Sequence, residues 1–414
     1  METTTIREDA EAIVRHAIEQ NLPGPAVHEA LEGFRLPEDR LVIVAIGKAA
    51  WAMARAAVDE LGDAVDAGVV ITKYGHVKGE IEYLSCYEAG HPVVDEASVA
   101  ATRKAEALVC GLGENDTVLL LVSGGGSALF EDPMVPLDEL ADITRQLLAC
   151  GASIDEINIV RKHLSHVKGG RFGRLCAPAR VVAVVLSDVV GDRLDTIASG
   201  PAYPDASTSA EALAIVDRYE FALSDEARAA LAEETPKQLD NVETHVTGSV
   251  RALVASAGEA CRARGYEPCV LTTSLDCEAR EAGAFLGAIA REHVADGRAL
   301  AFLAGGETVV HLRGDGLGGR NQELALAAAP AIAGLGNACV ISVGSDGTDG
   351  PTDAAGGCVD GATMAGLAEQ GISISEVLAA SDSYHALEAV GGLVTTGPTG
   401  TNVNDVAVVL IRAE

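Results

Sequence analysis

The sequence predicts an α/β fold made of two three-layer α/β/α domains with mainly parallel sheets. Short apolar strands alternate with helical segments through most of the 414 residues. The alternation is interrupted at the polar stretch Glu233–Thr244 and then restarts. Aromatic residues make up only 3% of the chain while glycine is plentiful, which suits close packing of helices on sheets. We therefore expect domains at residues 1–240 and 241–414, and the pattern leaves the allegiance of residues 1–38 open.

The composition is strongly acidic, with 30 Lys and Arg residues against 61 Asp and Glu residues and a formal net charge of −31. Such a surface repels nucleic acids and anionic membranes. Acid-rich, lysine-poor surfaces are typical of proteins that work in concentrated salt, so we hypothesise a halophilic source. The chain shows no long apolar run and no basic segment before an apolar one, so we expect neither a membrane span nor a signal peptide. The nine scattered cysteines lack C-x-x-C spacing and predict reduced thiols in a cytoplasmic protein.

A lysine follows the first apolar strand, Arg40–Ile46. Gly47 permits a turn there, and Lys48 then falls in the first turn of a helix. A cation at a helix N-terminus opposes the helix dipole, so a nearby anion would explain its placement. A solvated lysine is the alternative.

The next glycine-containing turn follows the strand Val118–Val122. It consists of Ser123, Gly124, Gly125, Gly126 and Ser127, and a helix start follows. Consecutive glycines let backbone N–H groups point at an anion, and a helix N-terminus adds partial positive charge. A tight turn that only lets strand and helix pack closely is an equally good interpretation of these residues alone.

Two acids follow the strand Arg180–Leu186. Asp188 and Asp192 lie where ligands bind in parallel sheets, and two carboxylates there suit an oxygen-ligated cation such as Mg²⁺. Asp192 could instead cap the next turn. Upstream, Lys168 and Arg171 flank a Gly-Gly pair and indicate an anion-binding patch.

The second half of the chain contains a G-x-G-x-x-G pattern at Gly314, Gly316 and Gly319, before a helix. This pattern makes a dinucleotide-binding dehydrogenase a legitimate alternative. Three features weaken it. The acids Asp346, Asp349 and Asp353 crowd the loop after the next strand, which suits a metal or a hydroxylated substrate better than one ribose. Arg320 directly follows the last glycine, and the next acid past a strand, Asp346, comes about thirty residues on rather than about twenty.

Phosphoryl transfer needs a phosphate cradle, a divalent cation, fixed positive charges and a positioned acceptor hydroxyl, and the chain has candidates for each. It lacks a G-K-[ST] Walker motif and protein-kinase signatures. In this combination the sequence resembles the MOFRL-type glycerate 2-kinases. The resemblance runs from about residue 40 to the C-terminus and is carried by AIGKAAWAMA, LLLVSGGGSALF, KHLSHVKGGR, LSDVVGDRLDTIASGP, GGETVV, GGRNQELAL, GSDGTDGPTDAAG and TGPTGTNVNDV.

The resemblance implies a two-domain α/β enzyme with its active site in the cleft between a Rossmann-like N-terminal domain and a MOFRL-type C-terminal domain. It further implies ATP- and Mg²⁺-dependent phosphorylation of D-glycerate at the 2-hydroxyl. Lys48 and Arg320 match the catalytic cations, and Ser123–Ser127 match the loop that holds nucleotide phosphates. Asp188 and Asp192 match acids for Mg²⁺ or the acceptor hydroxyl. Substrate-binding positions are expected at Lys168, Arg171, Glu307, Asn321 and Asp346.

Two other functions compete with the kinase. Hydroxypyruvate reductase, which uses NAD(P)H, is a name attached to relatives of this family and would depend on the G-x-G-x-x-G pattern. A non-catalytic binder of phosphorylated sugars or nucleotides would bind without turnover. The sequence leaves monomer and homodimer both open, and 2-phosphoglycerate as the product comes from the resemblance alone.

Overall fold

A computed structural model of the chain describes residues 5–187 and 193–413. These residues form two compact units. The glycine-turn unit runs from Pro23 to Thr247. The C-terminal unit combines the chain from Gly248 onward with the residues up to Leu22, including helix α1 (Ile6–Gln20). The expected linker Glu233–Thr244 therefore precedes the boundary, and its end already belongs to a strand, Val242–Gly248.

The glycine-turn unit is built on a sheet with the order β3-β2-β1-β4-β5-β6. The pairs β1–β2, β2–β3, β1–β4 and β4–β5 are parallel. This is the strand order of doubly wound sheets. The strands are β1 (Leu41–Ile46), β2 (Ala67–Lys73), β3 (Leu84–Ala89), β4 (Thr117–Val122), β5 (Arg180–Leu186) and β6 (Val242–Gly248).

Both faces of this sheet are covered. Alternate residues of β1, such as Val42 and Ile43, enter two different apolar clusters, because successive side chains of a strand point to opposite faces. One cluster includes α4 and the other α2 and α3. The helices are α2 (Pro23–Leu31), α3 (Ala50–Leu61), α4 (Glu96–Val109), α5 (Gly126–Leu129), α6 (Leu137–Ala149), α7 (Ile154–His163), α8 (Arg171–Cys176), α9 (Ser209–Arg218) and α10 (Asp225–Leu231).

The C-terminal unit has a second sheet, with the order β11-β10-β9-β12-β8-β7. In this sheet β7, β8, β9 and β11 point in the same direction, while β10 and β12 are antiparallel to their neighbours. The last strand, β12, lies between β8 and β9. The strands are β7 (Glu267–Leu275), β8 (Leu300–Gly306), β9 (Ala338–Gly344), β10 (Gly356–Asp360), β11 (Leu393–Val394) and β12 (Asp405–Ile411).

Helices cover both faces of the second sheet as well. Helix α1 packs with α11 on one face, and α12 and α13 pack on the other. Side chains of α1 hydrogen-bond to this unit: Asp9 accepts from Tyr266 at 2.7 Å and from Arg412 at 2.7 Å, and Arg7 donates to Gly391 O at 3.1 Å. The remaining helices are α11 (Val250–Ala263), α12 (Ala279–His293), α13 (Arg320–Ile332), α14 (Thr363–Glu369), α15 (Ile374–Ala380) and α16 (Ser383–Ala389).

The two three-layer α/β units confirm the predicted fold class. Strands β10 and β12 differ from the expected parallel pattern, because each is antiparallel to both of its neighbours, and β12 lies in the middle of its sheet. Among residues 5–187 and 193–413, no helix is both long and apolar enough to span a membrane.

Candidate active site

In the glycine-turn unit, the loops after β1 and β4 lie side by side. Ile46 and Val122, the last residues of these strands, are paired in register. The strand order reverses direction between β1 and β4, so the chain leaves these two strands toward opposite sides. Doubly wound sheets bind ligands in the crevice at this reversal. The structure therefore brings Lys48 and the glycine turn together at the expected location.

Hydrogen bonds join these two loops. The Lys48 N–H donates to Gly124 O at 2.8 Å, and the Ala49 N–H donates to Ser123 Oγ at 3.0 Å. The Ser123 hydroxyl itself donates to Ile46 O at 3.3 Å, and Ser123 is buried. Ser123 thus fixes the loop that carries Lys48.

Two glycines are required for this close approach. A Cβ on Gly47 would lie 2.3 Å from both Ser123 O and Ser123 Oγ, and its φ is +113°. Gly125 has a φ of +86°, and its Cβ would lie 3.0 Å from the His91 ring. Side chains at these positions would both clash and strain the backbone. The glycines therefore do serve close packing, and Gly125 stays half-buried beside Lys48.

Ser127 contacts a strained segment on its other side. Its Oγ lies 2.8 Å from Ser199 Oγ, and its carbonyl accepts a hydrogen bond from Arg161 Nη2 at 2.8 Å. Ala198 and Ser199 have φ values of +50° and +61°, in the left-handed region that disfavours side chains. Such strain concentrates at functional sites. Sequence analysis singled out neither Ser199 nor Arg161.

Lys168 is enclosed in the protein. Its Nζ donates to Phe130 O at 2.9 Å and forms an ion pair with Glu131, and both side chains are 0% exposed. Burial lowers the pKa of Lys168 to about 8, although the Glu131 charge opposes this change. The structure therefore does not direct Lys168 at an open site.

Arg171 is also held internally. Its Nη1 donates to the carbonyls of Lys162 and His163 at 3.2 Å and of Ser165 at 2.8 Å. These carbonyls lie at and just beyond the C-terminus of α7, where a cation is favourable. The expected patch of Lys168 and Arg171 thus stabilises two chain segments in the structure.

The two acids expected to bind Mg²⁺, Asp188 and Asp192, lie outside the described residues. Within residues 5–187 and 193–413, no group of three or more His, Cys, Asp or Glu side chains is arranged to hold a metal ion.

In the C-terminal unit, Arg320 forms a two-pronged ion pair. Its Nε and Nη2 donate to the Asp405 carboxylate at 2.5 and 2.9 Å, and its Nη1 lies 3.2 Å from Glu307 Oε1. Burial by itself would lower the pKa of Arg320, but the hydrogen bond that it donates to Asp405 and the charges of the surrounding acids raise the pKa above its ordinary value. The guanidinium therefore stays charged, and a third of its side chain is exposed.

Strand direction places Asp405 beside Arg320. Because β12 is antiparallel to both neighbours, its first residue is paired with Gly306 and Gly344, the last residues of β8 and β9. Asp405 thus reaches the carboxyl edge from the opposite direction. Burial raises the pKa of its carboxyl group, and the Arg320 hydrogen bond and charge oppose that change.

Asp349 caps the helix that carries Arg320. Its carboxylate accepts from the Asn321 N–H at 3.1 Å and the Gln322 N–H at 2.8 Å, at the start of α13. Burial raises the pKa of Asp349 to about 6, and these N–H groups oppose the increase. An acid at a helix N-terminus is favourable, and here it offsets a first turn that begins with arginine.

The other expected polar residues differ in exposure. Glu307 is exposed and accepts from Asn404 Nδ2 at 3.1 Å. Asn321 is buried and accepts from Ser342 Oγ at 2.6 Å. Asp346 is half-buried and accepts from the Thr348 N–H at 3.0 Å. Glu307 is thus the member of this set that contacts Arg320 and also faces solvent.

The G-x-G-x-x-G glycines have a packing role. They lie in the loop between the end of β8 at Gly306 and the start of α13 at Arg320, rather than in a tight strand-to-helix turn. A Cβ on Gly316 would lie 2.5 Å from Ala380 O, and one on Gly319 would lie 2.2 Å from Asp349 Cγ. These glycines approach protein atoms, so they form no pyrophosphate cradle of the dinucleotide type.

The chain is similar to known proteins over nearly its whole length. Residues 9–232 match a family model described as a domain of unknown function, DUF4147, and residues 300–405 match the MOFRL family model. A D-glycerate 2-kinase from Thermotoga maritima is 52% identical over 98% of this chain and 99% of its own. A crystal structure of glycerate kinase from Thermotoga maritima covers 98% of this chain and 99% of its own with a TM-score of 0.96. A protein from Agrobacterium vitis with the provisional name hydroxypyruvate reductase is 43% identical over 91% of this chain and 88% of its own.

Proposed function

Because the chain belongs to the MOFRL family of glycerate kinases, we propose that it transfers the γ-phosphoryl group of ATP to the 2-hydroxyl of D-glycerate. The products are 2-phosphoglycerate and ADP. The observation that carries this proposal is the 52% identity to a D-glycerate 2-kinase over nearly the whole of both chains. The 2-kinase name of that relative is also the source of the regiochemistry.

The two fixed cations support phosphoryl transfer as the chemistry. Lys48 is held beside the glycine turn by its own backbone hydrogen bond, and Arg320 is held by Asp405. Transfer of a phosphoryl group depends mainly on positioned positive charge, because negative charge spreads over its oxygens in the transition state. We assign Lys48 and Arg320 to this role.

The backbone of Ser123–Ser127 is proposed to hold the nucleotide phosphates. The Ser123 hydroxyl is occupied with Ile46 and Ala49, and the Ser127 hydroxyl contacts Ser199. The Ser123 N–H donates to Ile46 O at 2.9 Å, so the proposed ligand groups are the N–H groups of the residues after it in the turn, which suit phosphate oxygens.

A divalent cation is proposed at Asp188 and Asp192, since two carboxylates are a donor set that suits Mg²⁺. When bound, Mg²⁺ would neutralise charge on the phosphates. Asp188 is also proposed to accept the proton of the 2-hydroxyl.

Substrate recognition is assigned to fewer residues than the sequence indicated. Lys168 and Arg171 are proposed to position the segments around Glu131 and α7, because Lys168 Nζ and Arg171 Nη1 donate to groups inside the protein. Glu307 is proposed to contact glycerate, since it is exposed beside Arg320. Asn321 and Asp346 are proposed to orient the surrounding backbone.

The test is product identification. Purified protein is incubated with ATP, Mg²⁺ and D-glycerate, ADP formation is followed, and the product is examined by phosphorus NMR. We expect glycerate-dependent ADP formation and the signal of 2-phosphoglycerate. NADH oxidation with hydroxypyruvate, without ADP formation, would instead establish the reductase, and 3-phosphoglycerate would overturn the regiochemistry alone.

The cellular setting is proposed from composition. All nine cysteines lie in the described ranges and are free thiols, which suits a reducing cytoplasm. The formal charge of −31 suits a halophilic source.

A further inference from the structure

We propose that the polyphosphate of the nucleotide is bound by a basic cluster that extends from the glycine turn to the ends of β2 and β3. The basic cluster consists of Lys48, Lys73, His76 and His91. The choice of ATP as the source of this polyphosphate rests on the proposed function, whereas the site itself rests on the geometry below.

The strand arrangement gathers these residues. Lys48 follows the end of β1, Lys73 is the last residue of β2, and His91 comes two residues after the end of β3. These strands are parallel neighbours, and Lys73 is paired in register with Ala89, the last residue of β3. All of these residues therefore lie at the carboxyl edge of one sheet, where the glycine turn also lies.

Direct contacts connect the cluster to the glycine turn. A Cβ on Gly125 would lie 3.0 Å from His91 Nε2 and 3.2 Å from Lys48 Cγ, so these two side chains flank the glycine. His76 Nδ1 lies 3.1 Å from Lys48 O, and the His76 N–H donates to Lys73 O at 3.1 Å. The glycine turn thus has a basic wall along one side.

Neighbouring acids hold the loop after β2, which carries His76. The Val77 N–H donates to Glu88 Oε1 at 2.9 Å, and the Tyr74 hydroxyl donates to Asp95 Oδ2 at 2.7 Å. These carboxylates are therefore occupied by loop donors, and neither forms an ion pair of the described structure with Lys48 or Lys73. Glu88 and Asp95 thus anchor the loop after β2, and Lys48 and Lys73 remain available to bind an anion.

The lowered pKa of His91 is consistent with several positive charges around its ring. Burial lowers the pKa of His91, and the charges of Lys48, Lys73 and His76 lower it further. A neutral imidazole still has one N–H to donate to a phosphate oxygen. The lysines would then supply the charge and the histidine a directed hydrogen bond.

The number of cations favours a polyphosphate over a carboxylate. The chain has few lysines, at positions 48, 73, 78, 104, 162, 168 and 237, and two of them lie in this cluster. A single carboxylate is neutralised by one cation, whereas ATP carries several negative charges along its length. A cluster of two lysines and two histidines in so acidic a chain matches the longer anion.

Binding measurements on charge variants test the proposal. The affinities of ATP, inorganic tripolyphosphate and D-glycerate are measured by calorimetry for the wild type, Lys73→Gln and His91→Gln. Lys104→Gln is the matched control, because Lys104 belongs to the same unit and is exposed on α4, over the Tyr87 ring. We expect Lys73→Gln to weaken ATP and tripolyphosphate binding about tenfold and His91→Gln to weaken it severalfold, with D-glycerate unaffected.

The outcomes are distinct. The proposal is overturned if Lys73→Gln binds both polyphosphates with wild-type affinity, or if it weakens only the binding of D-glycerate. If His91→Gln fails to fold, the Lys73→Gln measurements alone decide the outcome. Equal weakening by Lys104→Gln would also overturn it, because the effect would then reflect general charge. Binding that depends on Lys73 in a protein without glycerate kinase activity would refute the proposed function and leave the polyphosphate site standing.

Discussion

Replacing Arg320 by methionine separates what the Arg320–Asp405 pair contributes to catalysis from what it contributes to stability. The substitution leaves Asp405 as an unpaired acid that is only 6% exposed. Breaking a buried pair from one side costs about 3–5 kcal/mol, and the partial exposure of Arg320 reduces our expectation to about 2–3 kcal/mol. The turnover rate should fall about 10²–10³-fold, which corresponds to about 3–4 kcal/mol in the activation barrier.

The double variant Arg320→Met/Asp405→Asn removes the charge of both partners. The buried acid is then gone, so we expect the loss of stability to shrink to about 1 kcal/mol. The rate should stay as low as in the single variant, because the positive charge is still missing. Stability and rate should therefore move independently.

The assay combines denaturant unfolding with initial rates of ADP formation at saturating D-glycerate and ATP. The exposed pair Arg298–Glu267 supplies a control, since both side chains are more than half exposed. Arg298→Met should change stability by less than about 1 kcal/mol and leave the rate unchanged. If the double variant recovers both stability and near-normal turnover, Arg320 acts only through folding and its catalytic assignment is wrong.

Three further predictions concern the rest of the chain. Lys168→Met should destabilise the protein by about 3–5 kcal/mol, and Lys168→Met/Glu131→Gln by clearly less, as measured by thermal unfolding; equal losses would refute the buried pair. Burial, aided by the Asp132 carboxylate, raises the pKa of Glu106 to about 7 in the folded protein. The protonated Glu106 therefore stabilises the fold fully below the pKa that it has in the unfolded protein, and this contribution is lost as the pH rises through about 7. Relative to Glu106→Gln, the wild type should therefore lose about 1–2 kcal/mol between pH 5 and pH 8 in denaturant titrations, and parallel pH profiles would contradict this. Finally, the unfolding temperature should rise markedly with KCl concentration, and high stability in dilute buffer would argue against a halophilic source.

Strand ends were the most informative feature of the sequence. Apolar runs such as Arg40–Ile46 and Val118–Val122 identify buried parallel strands, and the residues that follow them must share one edge. That reasoning placed Lys48 and the glycine turn after two such strands, and the structure adds that the strands are neighbours whose following loops are hydrogen-bonded to each other. It did not predict strand order, because apolar periodicity carries no information about which strands are neighbours.

Asp405 was missed for the same reason. It precedes a strand, and in a parallel sheet that would place it at the edge away from the ligands. Only the antiparallel insertion of β12 between β8 and β9 brings it to Arg320. The acid at the end of TGTNVND was visible as part of a motif, but its partner depends on a strand direction that local sequence does not encode.

Lys168 shows the opposite error. A lysine beside two glycines suggests an exposed anion site, since charged side chains rarely lie fully inside a protein. Glu131, which neutralises it, is separated from it by more than thirty residues of sequence. Burial of such a pair depends on tertiary packing and could not be predicted from either residue.

Because one unit is a continuous segment and the other is built from two separate segments, the two units become able to fold at different stages of synthesis. The glycine-turn unit is one continuous segment, so it is able to fold as soon as its last strand leaves the ribosome. Helix α1 is made before the glycine-turn unit, but it packs on a sheet whose central strand, β12, is made after that unit. The apolar face of α1 therefore lacks its packing partners until the rest of the C-terminal unit has been made. Arg320 likewise gains its ion-pair partner only after Asp405, 85 residues further along the chain, has been synthesised.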